Sequence, residues 1–101
     1  MESLKILIVD DDPWVRAELH EFLTESQYTV FQAGLPSAAF RLVDDHEPDI
    51  IILDLKLPEM DGLAVLEQLK ASFPDMEVIL ITGHGDMDSV IQAMRLGRRI
   101  I

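Results

Sequence analysis

Four short runs of aliphatic residues punctuate the chain: Lys5 to Val9, Tyr28 to Phe31, Ile50 to Leu53 and Val78 to Ile81. Each is rich in Ile, Val or Leu and too short for an ordinary helix, so each predicts a β-strand. Between these runs the apolar residues recur at helical spacing. Val15, Leu19, Phe22 and Leu23 follow an i, i+4, i+7, i+8 pattern, and Ala39, Phe40 and Val43 a shorter one. Leu63, Leu66, Leu69 and Phe73 give a third apolar face, and Met87, Val90, Ile91 and Met94 a fourth. Asp12-Pro13 reads as an N-cap followed by proline at the first helical position. Asp61-Gly62 and Asp86 read as turn and cap chemistry, and Gly97 as a helix-ending glycine. The predicted order is β-α-β-α-β-α-β-α over residues 1–101, one domain without an internal repeat or a low-complexity linker.

Strict alternation of strand and helix implies right-handed crossovers and a doubly wound parallel sheet with helices on both faces. Ile6 to Val9, Ile50 to Leu53 and Val78 to Ile81 are continuously apolar, as strands buried on both faces must be, whereas Tyr28-Thr29-Val30-Phe31-Gln32 is more polar. The second strand therefore belongs at an edge, and the order becomes 2-1-3-4. Ligands of such α/β sheets bind at the carboxyl ends of the strands, beside the point where the winding reverses.

Composition narrows the function classes. A chain of 101 residues accommodates one core. Eight Lys and Arg against nineteen Asp and Glu leave a formal charge of −11, which repels nucleic acid and anionic membranes. With no cysteine there is neither a disulfide framework nor a thiolate metal site, and His20, His46 and His84 lack zinc-site spacing. Met1-Glu2-Ser3 has no basic n-region and no long apolar run follows it, which predicts no signal peptide, no membrane span and a cytoplasmic protein.

The carboxyl ends of the first, third and fourth runs carry Asp10-Asp11, Asp54 and Thr82, all on the same predicted sheet edge. Carboxylates brought together repel one another, and an oxygen-only set of short Asp side chains suits Mg²⁺. Simpler roles compete with this one. Asp12, directly before Pro13, reads as a helix cap. Asp54 is followed by Leu55-Lys56-Leu57-Pro58-Glu59-Met60 before a helix can start, so capping does not account for it. Thr82 taken alone is an ordinary β-favouring residue, His84 a solvated loop histidine, and Met60, Met87 and Met94 packing residues.

The segments ILIVDDD, IIILDLKLPEMDG and LITGHGD resemble the acidic pair, phosphoacceptor strand and switch strand of response-regulator receiver domains. TGHGDMDSVIQAMRLG is similar to receivers of nitrogen-regulator and nitrogen-fixation transcription factors. The resemblance covers almost the whole chain and implies a flavodoxin-like signalling domain rather than an enzyme. By that resemblance Asp54 accepts a phosphoryl group from the phosphohistidine of a histidine kinase. Asp11 binds Mg²⁺ directly, Asp10 mainly through water, the Lys56 backbone carbonyl is a further ligand, and Thr82 hydrogen-bonds a phosphoryl oxygen. The family continues past the position of Gly97 into a fifth strand, ending in lysine and proline, and a fifth helix. Here Arg98-Arg99-Ile100-Ile101 follows, which implies a C-terminally truncated receiver with these elements missing or vestigial. The fourth strand is then expected at an edge and to self-associate together with the fourth helix, with Ile100-Ile101 supplying a strand in trans. Two other readings stand beside this one: a pseudo-receiver acting through contacts independent of phosphorylation, and a small hydrolase of the aspartyl-phosphate kind, for which no second general acid is evident.

Overall fold

The computed structural model describes residues 3–81 and the backbone of Arg99–Ile100. Strands β1 (Lys5–Val9), β2 (Thr29–Ala33), β3 (Ile50–Asp54) and β4 (Glu77–Ile81) alternate with helices α1 (Pro13–Glu25), α2 (Pro36–His46) and α3 (Gly62–Ser72), and β5 (Arg99–Ile100) completes the order. All pairings are parallel, in the order β2-β1-β3-β4-β5. The predicted 2-1-3-4 arrangement is present, with the more polar β2 at one edge. Of a fifth strand, the described residues are the two of Arg99–Ile100. One expectation is corrected: β4 is not the edge, because Ile79 and Leu80 pair with Arg99 and Ile100 of the same chain. The pairing strand therefore comes in cis, and its described residues are Arg99–Ile100. The fourth helical face around Met87 to Met94, its cap at Asp86, His84 and Gly97 all lie outside the described residues.

The side-chain alternation of a strand divides the core into two layers. Leu7, Val9, Ile51, Leu53, Val78 and Leu80 pack with Ala39 and Val43 of α2 and Val65, Leu66 and Leu69 of α3. Ile6, Ile8 and Ile52 face the opposite way and meet Leu19 and Leu23 of α1. Leu7, Ile51 and Leu53 have no exposed surface, which accounts for the unbroken apolar runs that mark the central strands. Removing such a side chain from water contributes about 1.5–3 kcal/mol each.

Helix starts follow the predicted chemistry. The Asp12 carboxylate accepts from the Trp14 N–H at 2.9 Å and Pro13 opens α1; the Asp61 carboxylate accepts from the Leu63 N–H at 3.0 Å and opens α3. Met60 packs against the core, as expected. Three local readings shift. Tyr28 precedes β2 instead of belonging to it, because its N–H is taken by the Leu23 carbonyl at the exit of α1, after Gln27 turns the chain at φ 73°. Phe22 is 65% exposed, since the line of Leu19 and Leu23 faces the sheet and Phe22 lies about 100° round the helix from Leu23. Phe73 is the C-cap of α3, not a helical position.

Candidate functional site

Two strand ends build the site. At the end of β1 the Asp10 N–H donates to the Ala33 carbonyl at 3.1 Å, continuing the β1–β2 ladder by one step before the chain turns into α1. That step holds the Asp10 side chain inside, 4% exposed, where one carboxylate oxygen accepts from the Asp12 N–H at 2.9 Å. Asp11, next in the turn, is exposed. On the neighbouring strand Asp54 closes β3, paired with Ile81 of β4 and 5% exposed, and its Oδ1 accepts from the Lys56 N–H at 3.0 Å. Ligating oxygens of Asp10, Asp11 and Asp54 lie within 4.8 Å of one another. They line a cleft together with Asp12, Val15, Lys56 and Ile81.

The structure thus brings together the acidic pair and Asp54, with Lys56 beside them. Asp12 stands apart in function: its carboxylate caps α1. Thr82 lies outside the described residues, although Ile81, directly before it in sequence, borders the cleft.

Burial pushes the Asp10 carboxyl above its ordinary value of 3.8; the Asp12 amide partly offsets this, and the carboxylates of Asp54, Asp11 and Asp12 push further upward. A carboxyl with a raised folded-state pKa binds more protons folded than unfolded, so its contribution to stability falls as pH rises from about 4 through the raised value. Asp10→Asn removes that penalty. The metal-free variant is expected to unfold at a higher temperature than the parent at pH 7, with the gap closing below about pH 4. Equal midpoints at pH 7 would show that Asp10 is not under this strain. A cation in the cleft relieves the same repulsion, and an all-oxygen donor set with one solvent-facing carboxylate fits a hard divalent ion.

Several residues that hold the site carry little signal of that role in the sequence. Arg16 reaches back from α1, donating from Nη1 to the Asp10 carbonyl at 2.7 Å and from Nε to Gln32 Oε1 at 3.2 Å. Its guanidinium passes beside Gly34, where an added Cβ would stand 2.8 Å from Nη1. Gly62 lies against the backbone of Asp54 and Leu55, and its N–H donates to the Leu55 carbonyl at 3.0 Å. Only the helical position of Arg16 and the turn-forming pair Asp61-Gly62 hint at these contacts; their partners belong to other elements.

Residues 6–100 match the family model described as the response regulator receiver domain. The chain is 36% identical over 97 residues to sporulation initiation phosphotransferase F of Bacillus subtilis, spanning 96% of this chain and 78% of that protein. It is 28% identical over 97 residues to the DNA-binding transcriptional regulator NtrC of Proteus hauseri, spanning 96% of this chain but only 20% of that longer protein. The crystal structure of a response regulator receiver domain protein from Clostridium thermocellum superposes with a TM-score of 0.91 at 31% identity, covering 97% of this chain and 80% of that one. A parallel sheet ending in an acidic cleft, with a family match running from β1 to β5, makes this chain a member of the response regulator receiver domain family.

Proposed function

We propose that the chain is a phosphoacceptor in a two-component relay, taking a phosphoryl group on Asp54 from the phosphohistidine of a partner histidine kinase. The observation that carries this reading is the meeting of Asp10, Asp11 and Asp54 within 4.8 Å at the ends of two adjacent strands. Asp54 is buried there and serves no helix as a cap. Asp11 and Asp54 would hold Mg²⁺ directly, Asp10 mainly through water, and the Lys56 backbone carbonyl would complete the protein's share. An ion held by these residues would supply charge neutralisation to the transferring group. The protein's own part is positional. The Lys56 N–H fixes the Asp54 carboxylate. A carboxylate oxygen then bonds to phosphorus as the donor's P–N bond breaks, and the imidazole leaves with the electron pair. Water later cleaves the acyl phosphate, returning carboxylate and inorganic phosphate, which suits a resettable signal. Thr82, directly after β4, would hydrogen-bond a phosphoryl oxygen and carry the change into the segment that follows. The name of the Bacillus relative, a phosphotransferase, agrees with a relay role. No helix among the described residues is long and apolar enough to cross a membrane, and the reading carries a cytoplasmic location with it.

The test is incubation with Mg²⁺ and a small acyl phosphate, followed by intact mass measurement. The parent is expected to gain one phosphoryl group, and Asp54→Asn none. No gain in the parent, or an equal gain in Asp54→Asn, would sink the proposal.

A second reading, a contact module independent of phosphorylation, is favoured by α1, where Trp14 and Phe22 are 76% and 65% exposed. Metal titration separates the two, since a contact module has no need of Mg²⁺. Self-association through β4 and the segment from Met87 to Met94 is proposed beside it in reduced form, because among the described residues β5 already pairs with Ile79 and Leu80 of β4. With a net charge of −11, salt should promote it; a monomer at every concentration and salt in sedimentation would exclude it.

A further inference from the structure

Helix α2 begins without a cap of its own. Its N-cap residue is Leu35, which makes no side-chain hydrogen bond, and its first turn contains no acidic residue. The opening N–H groups of a helix need acceptors and favour negative charge. Here the acceptor is borrowed from another element: Glu59 Oε1 accepts from the Ser37 N–H at 2.9 Å. Glu59 lies in the segment between β3 and α3, three positions after Lys56. That segment is tied at its start by the Lys56 N–H on Asp54 and at its end by the Gly62 N–H on the Leu55 carbonyl. Among the hydrogen bonds of the described residues, the Glu59 cap is the one that secures its middle to another element.

We infer that Glu59 is a positioning residue that couples the N-terminus of α2 to the metal site. Holding the middle of the segment keeps the Lys56 backbone in place beside the Asp54 carboxylate, and an ion ordering Lys56 in turn steadies the cap on α2. Coupling of this kind is reciprocal. The inference rests on the Mg²⁺-dependent phosphoacceptor reading. An ordinary surface cap would steady α2 and leave metal affinity unchanged, and a through-space charge effect would follow the carboxylate's charge rather than its hydrogen bond.

Mg²⁺ titrations of the parent, Glu59→Ala and Glu59→Gln, followed by Trp14 fluorescence and by the Ser37 amide resonance, distinguish these cases. Both Glu59 and Ser37 are exposed, so neither substitution opens the core. Glu59→Ala is expected to bind Mg²⁺ about three- to tenfold more weakly, at or below the usual range for losing an outer-shell partner. Glu59→Gln keeps an Oε1 acceptor and should stay within about twofold of the parent. Mg²⁺ should shift the Ser37 resonance in the parent and in Glu59→Gln but not in Glu59→Ala. Equal affinity in Glu59→Ala, or a Ser37 resonance indifferent to Mg²⁺ in the parent, overturns the coupling alone. A Glu59→Gln variant as weak as Glu59→Ala overturns it in favour of a charge effect. A parent that binds no Mg²⁺ overturns the phosphoacceptor reading and the coupling together.

Discussion

Addition of Mg²⁺ to Asp11→Ala is expected to leave Trp14 emission unchanged, whereas the parent responds with a saturating change. Asp11 is the exposed member of the acidic cluster, whereas Asp10 and Asp54 are 4% and 5% exposed. Mg²⁺ dehydrates reluctantly and is held by few protein ligands, so losing a carboxylate proposed as a direct ligand would remove a large part of the binding energy; a drop of at least about a hundredfold is expected. Trp14 reports it because it stands in the first turn of α1, three positions after Asp11, and is 76% exposed. Asp12→Ala is the matched control. Its carboxylate caps α1 by accepting from the Trp14 N–H, so its removal should lower stability by about 1 kcal/mol and leave the metal response intact. Parent-like affinity in Asp11→Ala would mean that the ligand is assigned to the wrong carboxylate.

Gly62→Ala should damage both the fold and the site. A Cβ at this position would lie 2.5 Å from Leu55 Cα, 2.6 Å from the Leu55 carbonyl oxygen and 2.7 Å from the Asp54 carbonyl oxygen. These are backbone atoms and cannot rotate aside, so either the start of α3 or the end of β3 must move. Forced overpacking of this kind typically costs about 1–3 kcal/mol. The displaced atoms include those that carry Asp54 and lead to Lys56, so Mg²⁺ affinity and phosphoryl incorporation should each fall by about tenfold, in line with other losses of supporting geometry. Gly34→Ala gives the contrast. Its Cβ would meet Arg16 Nη1 at 2.8 Å, the far end of a flexible side chain that can yield. Thermal unfolding and metal titration of the two variants test the distinction; a Gly62→Ala protein with parent-like midpoint and affinity would show that the close approach is dispensable.

The parts of this protein that were legible along the chain share one property, namely that their cause is local. Ile50 to Leu53 reads as a central strand because burial on both faces admits no polar residue. Asp12-Pro13 reads as a helix start because the cap and its amide are neighbours in sequence. Asp10, Asp11 and Asp54 could be placed together because the carboxyl ends of parallel strands share one sheet edge. Periodicity failed where the direction of a helix face had to be known to within a residue: Phe22 and Leu23 are equally apolar, and only the docking of α1 on Ile6, Ile8 and Ile52 leaves one buried and the other in solvent.

The amino-acid sequence by itself determined the alternating α/β architecture, the edge position of β2 and the acidic cluster, since strand burial, turn chemistry and strand-end position are written in adjacent residues. Tertiary structure decided the rest. It set Arg99–Ile100 beside β4 in cis, brought Arg16 onto the Asp10 carbonyl, pressed Gly62 against Leu55 and placed the Glu59 carboxylate on α2. Each of these joins groups on different elements through one hydrogen bond, one steric contact or one short pairing. Such contacts are created by the packing of the elements and leave no periodic trace in the segments that supply them.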